Sequence, residues 1–160
     1  MEFDKRLQQA IDRGQQRKQT RQDASEEAQL SEEDLKSLHS RYRLELSEHI
    51  EECIDKLAQH FPGFQTETIY GERGWGAACS RDDLRIEAPG TRSNDYSRLE
   101  IFIRPFADYH VLDLAGKATI RNKEAFNRNN FERLQEVDAA EFIGLVDAWV
   151  VEFAEIYSAQ

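Results

Sequence analysis

His49, Cys53 and His60 are the first residues whose types could do chemistry together. Imidazole and thiolate are ligands for a zinc-class ion, and a spacing of four puts His49 and Cys53 on one face of a helix. Helix rise sets the limit: His49 and Cys53 are about 6 Å apart along the axis, Cys53 and His60 about 10 Å. One ion with bonds near ~2 Å cannot take all three on an intact helix. A site would need His49, Cys53 and two ligands from elsewhere, with Cys79 one candidate. Histidines at the edge of a packed stripe explain the same pattern, so neither a metal site nor a cofactor is assigned.

Gly71-x-x-Gly74-x-Gly76 has the glycine density of a phosphate loop. Its order is wrong for G-x-G-x-x-G, no Gly-Lys-Ser/Thr follows, and the next residues read as strand, so no helix N-terminus is there to hold an anion. A tight hairpin accounts for it better. Trp75, between two glycines, is either a docking anchor or a cap on the core. Glu45, Glu48, Glu51 and Glu52 cluster, but acid–base catalysis needs a pocket that raises one carboxyl pKa, and these read as a solvated face. No G-x-S-x-G, H-E-x-x-H or EF-hand loop occurs, so no catalytic residue is assigned.

The least ordinary stretch is Arg121-Asn122-Lys123-Glu124-Ala125-Phe126-Asn127-Arg128-Asn129-Asn130-Phe131. Asn tolerates left-handed backbone and closes turns, which suits a structural loop. The same donors beside aromatics would suit an anion, a nucleotide or an acidic peptide. Arg121, Asn122, Lys123, Asn127, Arg128, Asn129, Asn130 and Trp75 are therefore the candidate binding residues. Arg104, His110 and Lys117 join them if a polar sheet face takes part.

Elements must position these groups. Phe142, Leu145, Val146, Trp149, Val150, Phe153 and Ile156 recur at spacings of three and four within Val137–Tyr157, a wide apolar stripe that needs a surface to cover it. Ser31-Glu32-Glu33-Asp34 opens a capping box. Leu35, Leu38, Tyr42, Leu46, Ile50, Cys53, Ile54, Leu57 and Phe61 then mark a helix of about eight turns. Pro62-Gly63 ends it.

Strand patterns follow: Phe64–Tyr70, Trp75–Ser80 and Leu84–Glu87, with a turn expected at Arg81-Asp82-Asp83 and a loop from Pro89 to Asp95. Leu99, Ile101 and Ile103 share one strand face, and Pro105 ends that strand or puts it at the sheet edge. Over Val111–Arg121, Leu112, Leu114, Ala118 and Ile120 point one way; Asp113, Lys117, Thr119 and Arg121 point the other. The expected fold is a two-layer α+β sandwich. It has a long N-terminal helix, a mostly antiparallel sheet of four or five strands, and a C-terminal amphipathic helix on the same sheet face.

At 160 residues with 39% hydrophobic and 32% charged residues, one domain over 31–160 is expected, preceded by a polar extension over 1–30. Phe3, Leu7 and Ile11 give that extension a short apolar edge before Gly14, but it cannot bury enough surface to hold itself in place, so it is a frayed helix, or a disordered segment that orders on a partner. Residues 1–22 carry six Lys/Arg against three acids, residues 23–60 four against eleven, and residues from Asp138 onward five acids and no Lys or Arg. The formal net charge of -10 argues against nucleic acid and an anionic membrane surface as partners.

No apolar run reaches the ~18 residues a membrane span needs, and Cys53 and Cys79 read as buried free thiols, so a cytoplasmic setting is expected. In size, acidity and helix–strands–helix style the chain resembles small acidic secretion chaperones, a likeness of fold style only. The leading expectation is a non-enzymatic protein-interaction module, adaptor or chaperone-like. It would act on an unidentified protein partner, as a homodimer if the helix stripes exceed what the sheet covers. The alternative is a small-ligand or nucleotide binder or enzyme using the polar sheet face and the Asn/Arg-rich loop.

Overall fold

The computed structural model describes residues 2–27 and 31–160, with backbone alone for 23–27 and 87. The chain divides into two compact units, Met1–Leu35 and Lys36–Gln160. The first holds α1, Glu2–Glu27, a 26-residue helix. Phe3, Leu7 and Ile11 are exposed at 72%, 49% and 44%, which leaves the apolar edge unburied.

Helix α2, Glu32–His60, starts at the capping box. Ser31 Oγ accepts from the Asp34 N–H at 3.2 Å, and Asp34 Oδ2 accepts from the Ser31 N–H at 3.3 Å. Two of the amides left over at a helix start are thereby satisfied. The helix stops before Pro62 and Gly63, where the glycine takes φ +102° and the Arg81 guanidinium donates to the Pro62 carbonyl at 2.8 Å.

Five strands form one antiparallel meander in sequence order: β1 (Gln65–Ile69), β2 (Trp75–Ala88), β3 (Thr91–Ile103), β4 (Val111–Ile120) and β5 (Lys123–Arg133). A single turn of 3₁₀ helix (Leu134–Glu136) leads to α3, Ala139–Ser158. Asp138 caps α3 by accepting from the Ala140 N–H.

Pairing register fixes the faces. Leu99, Ile101 and Ile103 stand opposite Cys79, Ala77 and Trp75 on one side and Ala118, Gly116 and Leu114 on the other. This face takes both long helices of the second unit. A Cβ on Gly116 would run into the Trp149 ring of α3, and Arg43 of α2 lies over the Trp75 ring at 4.2 Å. The core is where these layers meet: Leu46, Ile50, Ile54, Leu99, Ile101, Ile103, Leu112, Leu114, Phe142 and Phe153 are essentially inaccessible. Phe61, Phe64, Phe153 and Tyr157 close one end with edge-to-face contacts 5.1–6.2 Å between centroids. The α+β sandwich expected from the sequence is the fold, with all five strands antiparallel.

Three local expectations are corrected. Arg81-Asp82-Asp83 is not a turn but continuous strand within β2, paired with Ser97, Tyr96 and Asp95. The loop from Pro89 to Asp95 shrinks to Pro89-Gly90, with Gly90 at φ +84°, the sign a type II turn requires after proline. The Asn/Arg-rich loop is strand β5, and only Arg121 and Asn122 form the turn before it, at φ +49° and +69°. In each case polar ties across strands replace the apolar alternation that marks a strand in sequence. Among the described residues no helix is long and apolar enough to cross a membrane.

Candidate functional site

The sheet face turned away from α2 and α3 carries the alternate residues of each strand, and it is where the polar candidates partly converge. Ile69, Ala78, Phe102 and Ala115 form a small buried apolar patch there. Around it lies a recess of about 350 Å³ lined by Arg73, Glu100, Phe102, Arg104, Lys117 and Asn127 among others. Glu100 is buried, its side chain 10% exposed, and such a carboxylate needs partners. Arg73 supplies two bonds at 3.0 Å, and Arg98 supplies bonds at 3.2 and 3.3 Å. Burial alone would lower the Arg98 pKa, but hydrogen bonding and charge from Glu67, with Glu100, raise it above its ordinary value. Arg73 and Arg104 also lie over the Phe102 ring, at 5.3 and 5.6 Å.

Of the candidate binding residues, Arg104, Lys117 and Asn127 line this recess, while the others go elsewhere. Arg121 donates to the Gln160 carbonyl at 3.1 Å and stacks over Tyr157. Asn122 accepts from the Tyr96 N–H and donates to the Asn94 carbonyl, locking the β4–β5 turn. Lys123 is exposed at the start of β5. Arg128 points to the helix side and forks onto Glu152 of α3 at 2.8 and 3.2 Å. Asn129 donates to Asp113, which also pairs with Arg104 at 3.4 Å. Asn130 is half-buried opposite Leu114 on the helix side. His110 sits at φ +55° beside Phe106. Trp75 is half-buried on the helix face under Arg43, a cap on the core.

Arg73, Arg98, Glu100 and Phe102 were not singled out from the sequence, although Arg98, Glu100 and Phe102 alternate with Leu99, Ile101 and Ile103 and so had to share the outer face. Gly71–Gly74 is the hairpin turn expected from the sequence: Gly74 N–H donates to the Gly71 carbonyl and both glycines have positive φ.

A second feature is the β2–β3 arm. β1 pairs with β2 over Gly76–Ser80, and β4 pairs with β3 from Arg98 onward. Beyond those points β2 and β3 pair with each other alone, out to Ala88 and Thr91. Arg85 pairs with the buried Asp95 at 2.8 Å, Asn94 donates to Asp82 at 2.8 Å, and Arg81 binds Asp83 at 2.8 Å. Leu84 and Ile86 lie on one face of this arm, 72% and 78% exposed.

The third feature holds the histidines and thiols. Cys79 is fully buried in β2, where burial pushes its thiol up to about 12, and its sulfur is not part of the ligand cluster that holds His49 and Cys53. His60 ends α2 and lines a recess that His49 and Cys53 also border. Asp147 of α3 comes to His49 and Cys53, contacts across 98 and 94 residues that helix periodicity alone does not reveal.

The arrangement defines a two-layer α+β protein with one polar sheet face and a projecting hairpin. The chain matches no family model, and neither the curated proteins nor the solved structures yield a match.

Proposed function

We propose that this chain is a protein-interaction module, adaptor or chaperone-like, whose docking element is the tip of the β2–β3 arm. The observation that carries the reading is the pair Leu84 and Ile86, large apolar side chains left mostly in solvent on the hairpin. A two-stranded ribbon is marginal by itself. Here Arg81, Asn94 and Asp95 tie its base to its own strands and to Pro62. Asn122 adds a tie from the β4–β5 turn. A pre-organised apolar tip loses little conformational freedom on binding, which favours a docking role. The expected occupant is a protein groove that takes two aliphatic side chains at alternate strand positions. The unpaired cysteines support a reducing, cytoplasmic setting.

The test is affinity capture from host lysate with the parent chain, a Leu84→Asp/Ile86→Asp chain and a chain lacking residues 1–30. The reading expects a protein partner held by the parent and lost by the double variant, with the thermal midpoint little changed because both residues are exposed. Equal recovery by the double variant overturns the arm as the docking element. Loss with the truncated chain alone moves recognition to α1 and its Phe3, Leu7 and Ile11 edge. Light scattering on parent and double variant distinguishes a second copy as occupant.

A small-ligand reading is favoured by the recess beside Phe102, where Lys117 and Asn127 are exposed. Arg73 and Arg104 are already engaged by Glu100 and Asp113 there, so the recess supplies less free charge than its residue types suggest. A thermal-shift screen with nucleotides and metabolites tests it, since a ligand of the native state raises stability.

A further inference from the structure

His49 Nε2, Cys53 Sγ and Asp147 Oδ1 converge on one point between α2 and α3. Sγ lies 3.4 Å from both other atoms, and Nε2 lies 2.7 Å from Oδ1. The three form one compact group of potential metal ligands. We propose that they form a three-residue site for a zinc-class divalent cation, with its fourth position open to the adjoining recess.

Geometry carries this. A tetrahedral ion with bonds of about 2.3 Å to sulfur and about 2.0 Å to nitrogen and oxygen sets S···N and S···O near ~3.5 Å and N···O near ~3.3 Å. Both sulfur edges already match. The nitrogen–oxygen edge has only to open by about 0.6 Å, the step from a direct hydrogen bond to two ligands sharing a cation. His49 and Cys53 are held in place by the i,i+4 spacing on one helix, and α3 brings the carboxylate. Thiolate and carboxylate together supply two negative charges, and the thiol proton passes to solvent as the ion binds.

A Cys–His–Asp catalytic relay fits less well. A relay uses both ring nitrogens, one towards the nucleophile and one towards the carboxylate. Here the same Nε2 faces both Cys53 and Asp147. Burial, with help from Asp147, also pushes the Cys53 thiol up to about 11, away from a free nucleophile.

The fourth position faces a recess of about 450 Å³ whose lining includes Leu57, His60, Val150, Val151 and Ala154. Three protein ligands plus an open place is the pattern of exchangeable or catalytic zinc, in contrast to closed four-ligand structural sites. The class of fourth ligand is water or a small donor entering from the recess.

The experiment uses the full chain, stripped with chelator and titrated with Zn²⁺ and with Co²⁺ alone. Expected are one ion per chain by calorimetry, a thiolate-to-cobalt charge-transfer band, and a raised thermal midpoint with Zn²⁺. Cys53→Ser should abolish the band, and His49→Gln and Asp147→Asn should each weaken Zn²⁺ by on the order of tenfold or more, since even outer partners of ligands cost that much. Cys79→Ala and His60→Ala should retain both band and affinity. Circular dichroism confirms that each variant folds; His49 and Asp147 are accessible enough to be changed without opening the core. Absence of saturable binding overturns the proposal, and so does binding that survives Cys53→Ser and Asp147→Asn undiminished.

Discussion

Replacing Gly116 by alanine tests whether α3 is seated on the sheet as the packing requires. Gly116 lies in β4 opposite Ile101 and Arg128, on the helix face. A Cβ there would stand 2.6 Å from Trp149 Cε3 and 2.8 Å from Cζ3. Carbon atoms settle at ~3.5–4.0 Å, so the indole would have to retreat by roughly 0.9–1.4 Å. Trp149 is 4% exposed, and its helix neighbours Val146 and Phe153 are fully buried, so the ring cannot move without moving α3. Overpacking of this kind costs about 1–3 kcal/mol, offset in part by the ~0.5–1 kcal/mol that alanine gains over glycine in an ordered strand. The expected net loss is about 1–2 kcal/mol. For a chain of this size that lowers the thermal midpoint by roughly 2–8 °C. Urea unfolding of the parent, Gly116→Ala, Trp149→Phe and the double variant measures it. The smaller ring makes room, so the double variant should lose less than the two singles added together. A Gly116→Ala chain as stable as the parent, or additive losses in the cycle, would refute the seating of Trp149 on Gly116.

Two further perturbations read other parts of the same packing. His39 is buried and donates from Nε2 to the Arg104 carbonyl at 3.2 Å; burial, with the Arg43 charge, lowers its pKa below 6.5 in the folded chain. The unfolded chain therefore binds the extra proton first, so this contribution to stability is complete above about pH 6.5 and falls as pH drops from there towards the folded pKa. Chemical denaturation between neutral and mildly acidic pH should show that slope, and His39→Gln should flatten it; an unchanged slope would mean His39 is not the group responsible. Ser31→Ala removes the acceptor for the Asp34 amide and should cost ~1 kcal/mol, whereas Ser31→Gly should cost only a few tenths. Equal losses from the two, measured by denaturant midpoint, would remove the capping box as the cause.

What could be read in the sequence was whatever apolar periodicity encodes. The second helix carried its own start, stripe and stop in Ser31, Leu46–Leu57 and Pro62-Gly63, and each is where the structure has it. The stripe of α3 held for the same reason, with Phe142, Val146, Trp149 and Phe153 buried. Strand β5 was hidden because its helix-side residues are Phe126, Arg128, Asn130 and Glu132, of which one alone is apolar. Arg128 can face inward only because Glu152 on α3 meets it, and Asn129 sits easily outward because Asp113 does. An edge strand also gains from such polarity, which discourages pairing with other chains.

The β2–β3 arm was broken into turns and loops for a related reason. Its order rests on Asn94–Asp82 and Arg85–Asp95, pairs that exist only once the register is set. The same logic governs the candidate site. His49 and Cys53 announce themselves by spacing, but Asp147 looks like one more acid beside an apolar stripe until α2 and α3 share a sheet face. Once they do, the choice of third ligand follows from the packing: Cys79 belongs to the buried face of β2, His60 lies about two turns along the helix from Cys53, and Asp147 reaches both His49 and Cys53.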